Sequence, residues 1–343
     1  MKKKKFFSLF LAVTIFFVGL SGCVNNKTEP TKPKIEAQTT KKSVSSYSDT
    51  KINIALIKTL PGVYAFLKLI QDSDNHLNNI KFFFAENVDE AFKWLDSGKV
   101  DAANLSYTDA FRYYNVGLKS TKMFFVTSQA PIYLLTKNNN IQSLQDIQNK
   151  ILYLIGKRSI EELNCESIIR DFSKKRIRYA NSLSDLYSKI EHGDVENCVV
   201  SSLISPLILK KYPEFNIFST LSKSAGDAHK SYVSVYDCLI ISQSFVNEST
   251  DKMLDLVSLF KSSGVFTNFH SNEAASIAVK YQIASSDDIA KEIILDSNVG
   301  YYEKKNLFNY SSYHYINDFT DYYFGGGYPH SDYFEIPFGT YVN

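Results

Sequence analysis

Four polar segments lie where strand-like runs of the sequence end and helical patterns begin. They are Thr59-Leu60, Ser106-Tyr107-Thr108, Lys157-Arg158-Ser159 and Ser201-Ser202. The first turn of a helix has backbone N–H groups without intrahelical partners and a partial positive charge, which suits carboxylate, sulfonate or phosphate groups. Lys157 and Arg158 would add positive charge, and the arginine offers a bidentate fork. These segments predict a site for a small polar or anionic solute, with a solvated loop as the alternative role of the Lys157-Arg158 pair.

Tyrosines near these segments suggest a second kind of ligand contact. Tyr64, Tyr107 and Tyr133 are candidates for stacking on a planar ligand. Because the chain has 23 tyrosines, packing in the core or on the surface is the favoured role for any one of them. If the ligand is an anion, Arg158→Ala is expected to weaken binding most. If it is a neutral aromatic molecule, Tyr107→Ala is expected to do so.

Motifs of common enzyme and metal sites are absent from the sequence. There is no glycine-rich phosphate loop, no pair of cysteines spaced for zinc and no Gly-x-Ser-x-Gly turn. The six histidines show no i, i+4 pairing of the kind that binds zinc on a helix. We therefore expect no catalytic activity, no cofactor and no metal.

Strand-like and helical patterns alternate along the chain. Residues 52–57 and 80–85 read as strands, and amphipathic helices are predicted to follow them at about 63–70 and 88–97. Such alternation argues for parallel sheets in an α/β fold.

One helix–turn–strand pattern occurs twice, 95 positions apart. Residues 88–106 read VDEAFKWLDSGKVDAANLS, and residues 183–201 read LSDLYSKIEHGDVENCVVS. Each copy predicts an amphipathic helix, a C-terminal glycine (Gly98 or Gly193), a strand and a final serine. The repeat predicts two similar lobes, each with its own sheet, although ordinary α/β spacing is an alternative explanation. Ligands of open α/β sheets bind outside the carboxyl ends of the strands, so the site is expected where the lobes face each other.

The first 22 residues are typical of an export signal. Four lysines at 2–5 precede an apolar stretch at 6–20, which is shorter than a stable transmembrane span. The following Leu-Ser-Gly-Cys at 20–23 resembles the lipobox of bacterial lipoproteins, in which cleavage leaves an acylated cysteine, here Cys23, as the first residue. An ordinary signal peptide with a chance cysteine is the alternative. Residues 23–50 are rich in polar residues and proline, which predicts a disordered tether.

The charge balance and the cysteines argue against two further properties, nucleic-acid binding and a disulfide framework. The chain has 38 basic and 36 acidic residues, and removal of the four N-terminal lysines changes the balance from +2 to about −2. Nothing there suggests a nucleic-acid partner. Cys165, Cys198 and Cys238 lack metal-ligand spacing, and the last two lie in apolar runs. Buried cysteines are therefore favoured over a disulfide framework.

Four stretches together resemble the type II periplasmic binding proteins of ABC importers, in the branch of nitrate, sulfonate/taurine and thiamin-precursor binders. They are residues 87–111 with the strand motif DAANLS, 131–159 with the turn SLQDIQNK, 183–215, and 268–283 with the helix start SNEAA. Two features depart from the family pattern. Asn149 replaces the usual turn glycine, and proline appears only at Pro206 after the lobe-two strand.

The resemblance implies two Rossmann-like lobes joined by crossing strands, with residues 51–133 and 241–343 in lobe one and 134–240 in lobe two. It further implies a monomeric, lipid-anchored receptor outside the cytoplasm that passes a small solute to an ABC permease. A surface lipoprotein that kept the fold for adhesion is the alternative. The aromatic tail, 301–343, is expected to pack across lobe one rather than form a partner surface, with a loop at 325–327.

Overall fold

The computed structural model describes residues 51–77, 79–116, 120–169, 174–221, 236–248, 250–297 and 299–302. The predictions for the export signal, for Cys23, for the tether and for the tail beyond residue 302 lie outside these residues. All of the described residues belong to one structural unit, 46–343.

The strands are β1 Ile52–Ile57, β2 Ile80–Ala85, β3 Ala102–Ser106, β4 Thr121–Ser128, β5 Ile132–Thr136, β6 Leu152–Ile155, β7 Ile177–Ala180, β8 Asn197–Ser201, β9 Asn216–Thr220, β10 Asp237–Ser242 and β11 Val299–Tyr302. The α-helices are α1 Leu67–Asp74, α2 Val88–Asp96, α3 Tyr107–Val116, α4 Leu144–Ile147, α5 Ile160–Ile168, α6 Leu183–Glu191, α7 Ser205–Lys211, α8 Gln243–Glu248, α9 Thr250–Phe269, α10 Ser271–Lys280 and α11 Asp287–Asp296. Short 3-10 helices occupy Pro61–Phe66 and Lys174–Arg176.

The strands form two separate sheets. The first has six strands in the order β11-β4-β10-β3-β1-β2, and the second has five in the order β7-β6-β8-β5-β9. Strands β1, β2 and β3 pair in parallel, as do β6, β7 and β8, while β10 and β5 are antiparallel to β3 and β8. The predicted α/β fold with one sheet for each copy of the repeat is confirmed.

The chain passes between the sheets twice. It leaves the first sheet after Ser128 and enters the second at Ile132, and it returns between Thr220 and Asp237. The residue bounds given above for the two lobes stay a prediction, and these two crossings are the observations that bear on them.

Side chains of the first sheet alternate between two cores, as the period of a strand requires. In β1, Ile54 and Leu56 pack on the face that the 3-10 helix at 61–66 and helices α9 and α10 cover. Ala55 and Ile57 point the other way, toward α2 and α3, into a core that continues into the second sheet. Strand β1 is therefore apolar from Ile54 to Ile57 because both of its faces are covered there.

The two copies of the repeat fold alike. Helices α2 and α6 begin 95 residues apart, and so do strands β3 and β8. Gly98 and Gly193 follow the two helices with φ angles of 72° and 83°, a left-handed conformation that glycine adopts without a steric penalty. The predicted helix, glycine turn and strand are confirmed in both copies.

The first predicted helix starts differently from the expectation. The segment 61–66 is a 3-10 helix, and α1 begins only at Leu67. Pro61 has no N–H group to donate, and the Val63 N–H bonds the Leu60 carbonyl three residues back at 3.1 Å. The helix that follows β1 therefore opens with a tight turn.

Two further expectations concern cysteines and membrane spans. Cys165, Cys198 and Cys238 are buried and free, which confirms the preference for buried cysteines over a disulfide framework. Within the described ranges, no helix combines the length and apolar character that crossing a bilayer requires.

Candidate functional site

Backbone hydrogen bonds continue the strand pairing of each sheet into the crossings, at the strand ends that we call the facing edges. The Tyr107 N–H donates to the Tyr236 carbonyl at 2.9 Å, and the Ser202 N–H donates to the Pro131 carbonyl at 3.0 Å. The Tyr236 N–H in turn donates to the Ser128 carbonyl at 3.1 Å. The ends of β3 and β8, each finishing in a serine, are thereby brought to the two crossing segments.

The candidate residues from the sequence fall into two groups. Those at the crossings are buried: Ser106, Tyr107, Thr108, Tyr133, Ser201 and Ser202. Those at the other two segments are exposed or half-buried: Thr59, Leu60, Lys157, Arg158 and Ser159. The structure therefore gathers the serines and tyrosines at the facing edges but leaves the two predicted cationic side chains in solvent.

The candidate tyrosines make contacts within the protein. Tyr107 packs against Phe111 with ring centroids 4.2 Å apart, and both side chains lie in the core. The Tyr133 hydroxyl donates to the Asp296 carboxylate, which ties the second sheet to α11. These contacts fit the packing role that the sequence favours for any one tyrosine.

The helix N-termini predicted to bind an anion are bonded by the protein itself. The Gly62 N–H donates to Asp237 Oδ2 at 2.5 Å. The Asp109 N–H donates to Ser106 Oγ at 3.2 Å, and the Glu162 N–H donates to Ser159 Oγ at 3.3 Å. Since acceptors of the chain already bond these N–H groups, fewer donors remain for an anion than the sequence suggests.

The Lys157-Arg158 pair lies at the start of α5. Arg158 has a left-handed φ of 61°, and its N–H donates to Glu162 Oε2 at 2.7 Å. The Lys157 ammonium lies 5.4 Å from the centroid of the Tyr179 ring. Their predicted role in neutralising an anion stays a prediction.

Sequence reasoning missed a carboxyl group at the centre of this region, that of Asp237. This residue opens β10, is fully buried, and accepts hydrogen bonds on Oδ2 from Gly62 and, at 2.8 Å, from Ser128 Oγ. Its Oδ1 has no hydrogen-bond partner among the residues that the structure describes. One signal in the sequence could have found it. An aspartate lies directly before the apolar run CLII, where burying an unpaired charge is costly.

Two more carboxyl groups lie close enough to affect the ionisation of Asp237. Glu161, in the first turn of α5, accepts a hydrogen bond from the Tyr236 hydroxyl at 2.6 Å. Asp109, in the first turn of α3, accepts one from Ser106 Oγ at 2.5 Å and pairs with Arg112 at 2.8 Å. We call Asp109, Glu161 and Asp237 the acidic cluster.

The surroundings of the acidic cluster favour protonation of its members. Burial, with smaller contributions from the nearby Glu161 and Asp109, raises the pKa of Asp237 to about 7, against the hydrogen bonds from Ser128 and Gly62. Burial likewise raises the pKa of Glu161, although the Tyr236 hydroxyl opposes this shift. For Asp109 burial also raises the pKa, and Arg112 opposes it. The facing edges therefore gather acidic side chains rather than basic ones.

The same geometry bears on metal binding. In the part of the chain that the structure describes, no group of three histidine, cysteine, aspartate or glutamate side chains is arranged to hold a metal ion.

Three solved structures share this fold at low sequence identity. An ABC transporter protein from Parabacteroides distasonis matches with a TM-score of 0.67 and 16% identity, over 83% of this chain and 99% of that one. The ligand-binding component of an ABC-type import system from Staphylococcus aureus, solved with zinc bound, matches with a TM-score of 0.63 and 15% identity, over 83% and 96%. The periplasmic aliphatic sulphonate-binding protein SsuA from Escherichia coli matches with a TM-score of 0.59 and 10% identity, over 73% and 84%.

No protein-family model and no curated protein matches this chain. Identities this low establish the fold but not the ligand. The two sheets, the two crossings and these similarities together confirm the resemblance found in the sequence. The chain has the fold of the periplasmic binding proteins of ABC transporters.

Proposed function

We propose that this protein is the solute receptor of an ABC importer. It captures a small polar solute between its two lobes and delivers it to a permease in the membrane. The observation that carries the proposal is the meeting of buried polar side chains from both sheets at the facing edges, where the Tyr236 hydroxyl bonds Glu161 of the second sheet's helix α5. Adhesion needs no such buried polar region, and the similar import components do not favour that alternative.

Binding would act through the relative position of the lobes. Contacts from both lobes to one solute exist together only when the facing edges meet, so the solute shifts the population toward that arrangement. A permease then distinguishes loaded from empty receptor by shape. In this role the protein is a monomer that binds and releases its solute unchanged, without catalysis or cofactor.

The receptor function predicts stabilisation by a solute. A solute at 100 times its Kd adds about 2.7 kcal/mol to the free energy of unfolding, which for a domain of this size raises Tm by roughly 5–10 °C. A thermal-shift screen with sulfonates, nitrate, thiamin precursors, flavins, amino acids and amines would measure it. Small-angle scattering with the best hit should show a smaller radius of gyration. A Tm that stays unchanged across the whole panel would speak against a receptor.

We also propose that Cys23 is acylated and anchors the protein to the outer face of the cell membrane through the tether at 23–50. Two or three acyl chains, at about 0.8 kcal/mol per buried CH₂, hold a protein far more durably than one. The anchor would keep the receptor close to its permease.

Replacing the acylated residue tests the anchor. Cys23→Ser is expected to leave the precursor uncleaved or to move the protein from the membrane fraction to the soluble fraction. Fractionation with metabolic labelling by a fatty acid measures both effects. Cys165→Ser, which changes a buried thiol, is the control and should keep the label. Labelling of the Cys23→Ser protein would contradict the proposal.

A further inference from the structure

The acidic cluster joins three segments that meet at the facing edges. Asp109 follows the end of β3, Glu161 follows β6 in the second sheet, and Asp237 opens β10. Each of these carboxyl groups lies close enough to another to affect its ionisation. The cluster therefore brings together groups from both sides of the region where the solute is proposed to bind.

In the ranges that the structure describes, one member of the cluster has a cationic partner. Arg112 lies 2.8 Å from Asp109. Among the described residues, no lysine or arginine pairs with Glu161 or Asp237. Glu161 accepts hydrogen bonds from the Tyr236 and Ser159 hydroxyls, and Asp237 accepts them from the Ser128 hydroxyl and the Gly62 N–H. Buried carboxylates are normally paired, because taking an unpaired charge out of water costs several kcal/mol.

A second, independent observation is the pair of buried polar atoms left without hydrogen bonds. Within the described part of the chain, Asp237 Oδ1 has no partner and neither has Asn104 Nδ2, although both residues are 0% exposed. Thr127 bonds the other end of the Asn104 amide at 2.6 Å, which leaves the NH₂ group as the free donor. A β-carbon placed on Gly62 would lie 2.8 Å from Asn104 Nδ2 and 2.9 Å from Asp237 Oδ2, so the two side chains converge beside this glycine.

Helix capping alone explains only half of this arrangement. The bond from the Gly62 N–H secures the 3-10 helix and uses Oδ2, and Ser128 uses the same oxygen. An asparagine or a serine could accept that bond without placing a charge inside the protein. The unpartnered Oδ1 and the neighbouring Asn104 donor have no use in capping.

Building on the receptor function proposed above, we propose that the solute presents a protonated nitrogen to Asp237 and Glu161, with Asn104 donating to an acceptor atom beside that nitrogen. The solute class is thus a small amine, amidine or protonated heterocycle rather than the anion that the loop residues suggest. Both Asp237 and Asn104 are fully buried, so the solute reaches them only when the facing edges separate. An ordered water on Asp237 Oδ1 is the alternative occupant.

The test compares matched probes of opposite charge. Ethanolamine, putrescine, agmatine and thiamin form the cationic set, and nitrate, ethanesulfonate and phosphate form the anionic set. We expect at least one cation to raise Tm and no anion to do so. Calorimetry should show tenfold or greater loss of affinity for that cation in Glu161→Gln and in Asp237→Asn. Affinity for the cation should also rise between pH 5.5 and 7.5, as Asp237 loses its proton beside Glu161, Asp109, Arg112 and Tyr236.

Glu214→Gln is the control, because it removes one exposed carboxylate outside the acidic cluster and should retain the full affinity. Two conservative variants guard against misfolding, since either one carries the test if the other fails to fold. Unchanged affinity for the cation in both would overturn the proposal and leave water as the occupant. An anion that raises Tm while no cation does, and that binds more weakly to Arg158→Ala, would overturn it too but support the receptor function. No shift with either set would count against both.

Discussion

Between pH 5 and pH 8, the free energy of unfolding is expected to fall by about 2–3 kcal/mol more in the wild type than in Asp237→Asn. The pKa of Asp237 is raised to about 7 in the folded protein, chiefly by burial, whereas an unfolded aspartate has a pKa near 4. Between these values the folded state holds a proton that the unfolded state has released. The stabilisation from this group is therefore complete below about pH 4 and is lost as the pH rises through 7.

Urea denaturation of both proteins from pH 5 to pH 8 measures this effect. The free energy of unfolding of the wild type should fall relative to that of Asp237→Asn over this range. Glu161 and Asp109 titrate in both proteins, so the difference reports the ionisation of Asp237 together with its coupling to them. Glu214→Gln controls for the loss of one negative charge at the surface. Parallel curves for wild type and Asp237→Asn would show that Asp237 ionises as an ordinary carboxyl group.

Gly62→Ala is expected to destabilise the fold by about 3–5 kcal/mol. The new β-carbon would lie 2.6 Å from Thr127 Oγ1 and within 3 Å of Asn104 and Asp237. These side chains cannot yield without cost, because the Thr127–Asn104 and Ser128–Asp237 hydrogen bonds hold them in a fully buried position. Overpacking and at least one broken buried hydrogen bond therefore add together.

The matched control for Gly62→Ala is Gly98→Ala. Gly98 has a left-handed φ of 72°, but a β-carbon added there would have no neighbouring atom within 4 Å, so only backbone strain of about 1–2 kcal/mol is expected. Chemical denaturation of both variants gives the comparison. If Gly62→Ala lowered the free energy of unfolding no more than Gly98→Ala does, the conclusion that the site beside Gly62 is closely packed would be wrong.

Local patterns are what the sequence could reveal. The repeated helix, glycine and strand were predictable because periodicity and the C-terminal glycine act within about twenty residues, and α2–β3 and α6–β8 occur where both signals coincide. The 3-10 start at Pro61–Phe66 was not, since it depends on a bond from Gly62 to Asp237, 175 residues away.

The candidate site shows the same limit. Ser106 and Ser159 were correctly placed at helix starts, but a serine there also bonds the N–H group three residues on, so a helix start that the sequence offers to a ligand is partly occupied already. Glu161 belongs to the candidate site because it accepts a hydrogen bond from Tyr236, 75 residues away. Only the folded chain brings such groups together. The sequence therefore could not predict that acidic rather than basic side chains gather at the facing edges.

The position of β10 in the first sheet has a consequence for the order of folding. This strand lies between β4 and β3, yet it follows every strand of the second sheet in the chain. The second sheet is made from one continuous stretch, Ile132 to Thr220, and can pair its strands as soon as that stretch is available. The first sheet stays divided, with β4 on one side and β3, β1 and β2 on the other, until Asp237–Ser242 arrives and inserts. We therefore expect the second lobe to fold first. The incomplete first sheet, whose strand edges are still unpaired, is the intermediate that we expect a chaperone to bind.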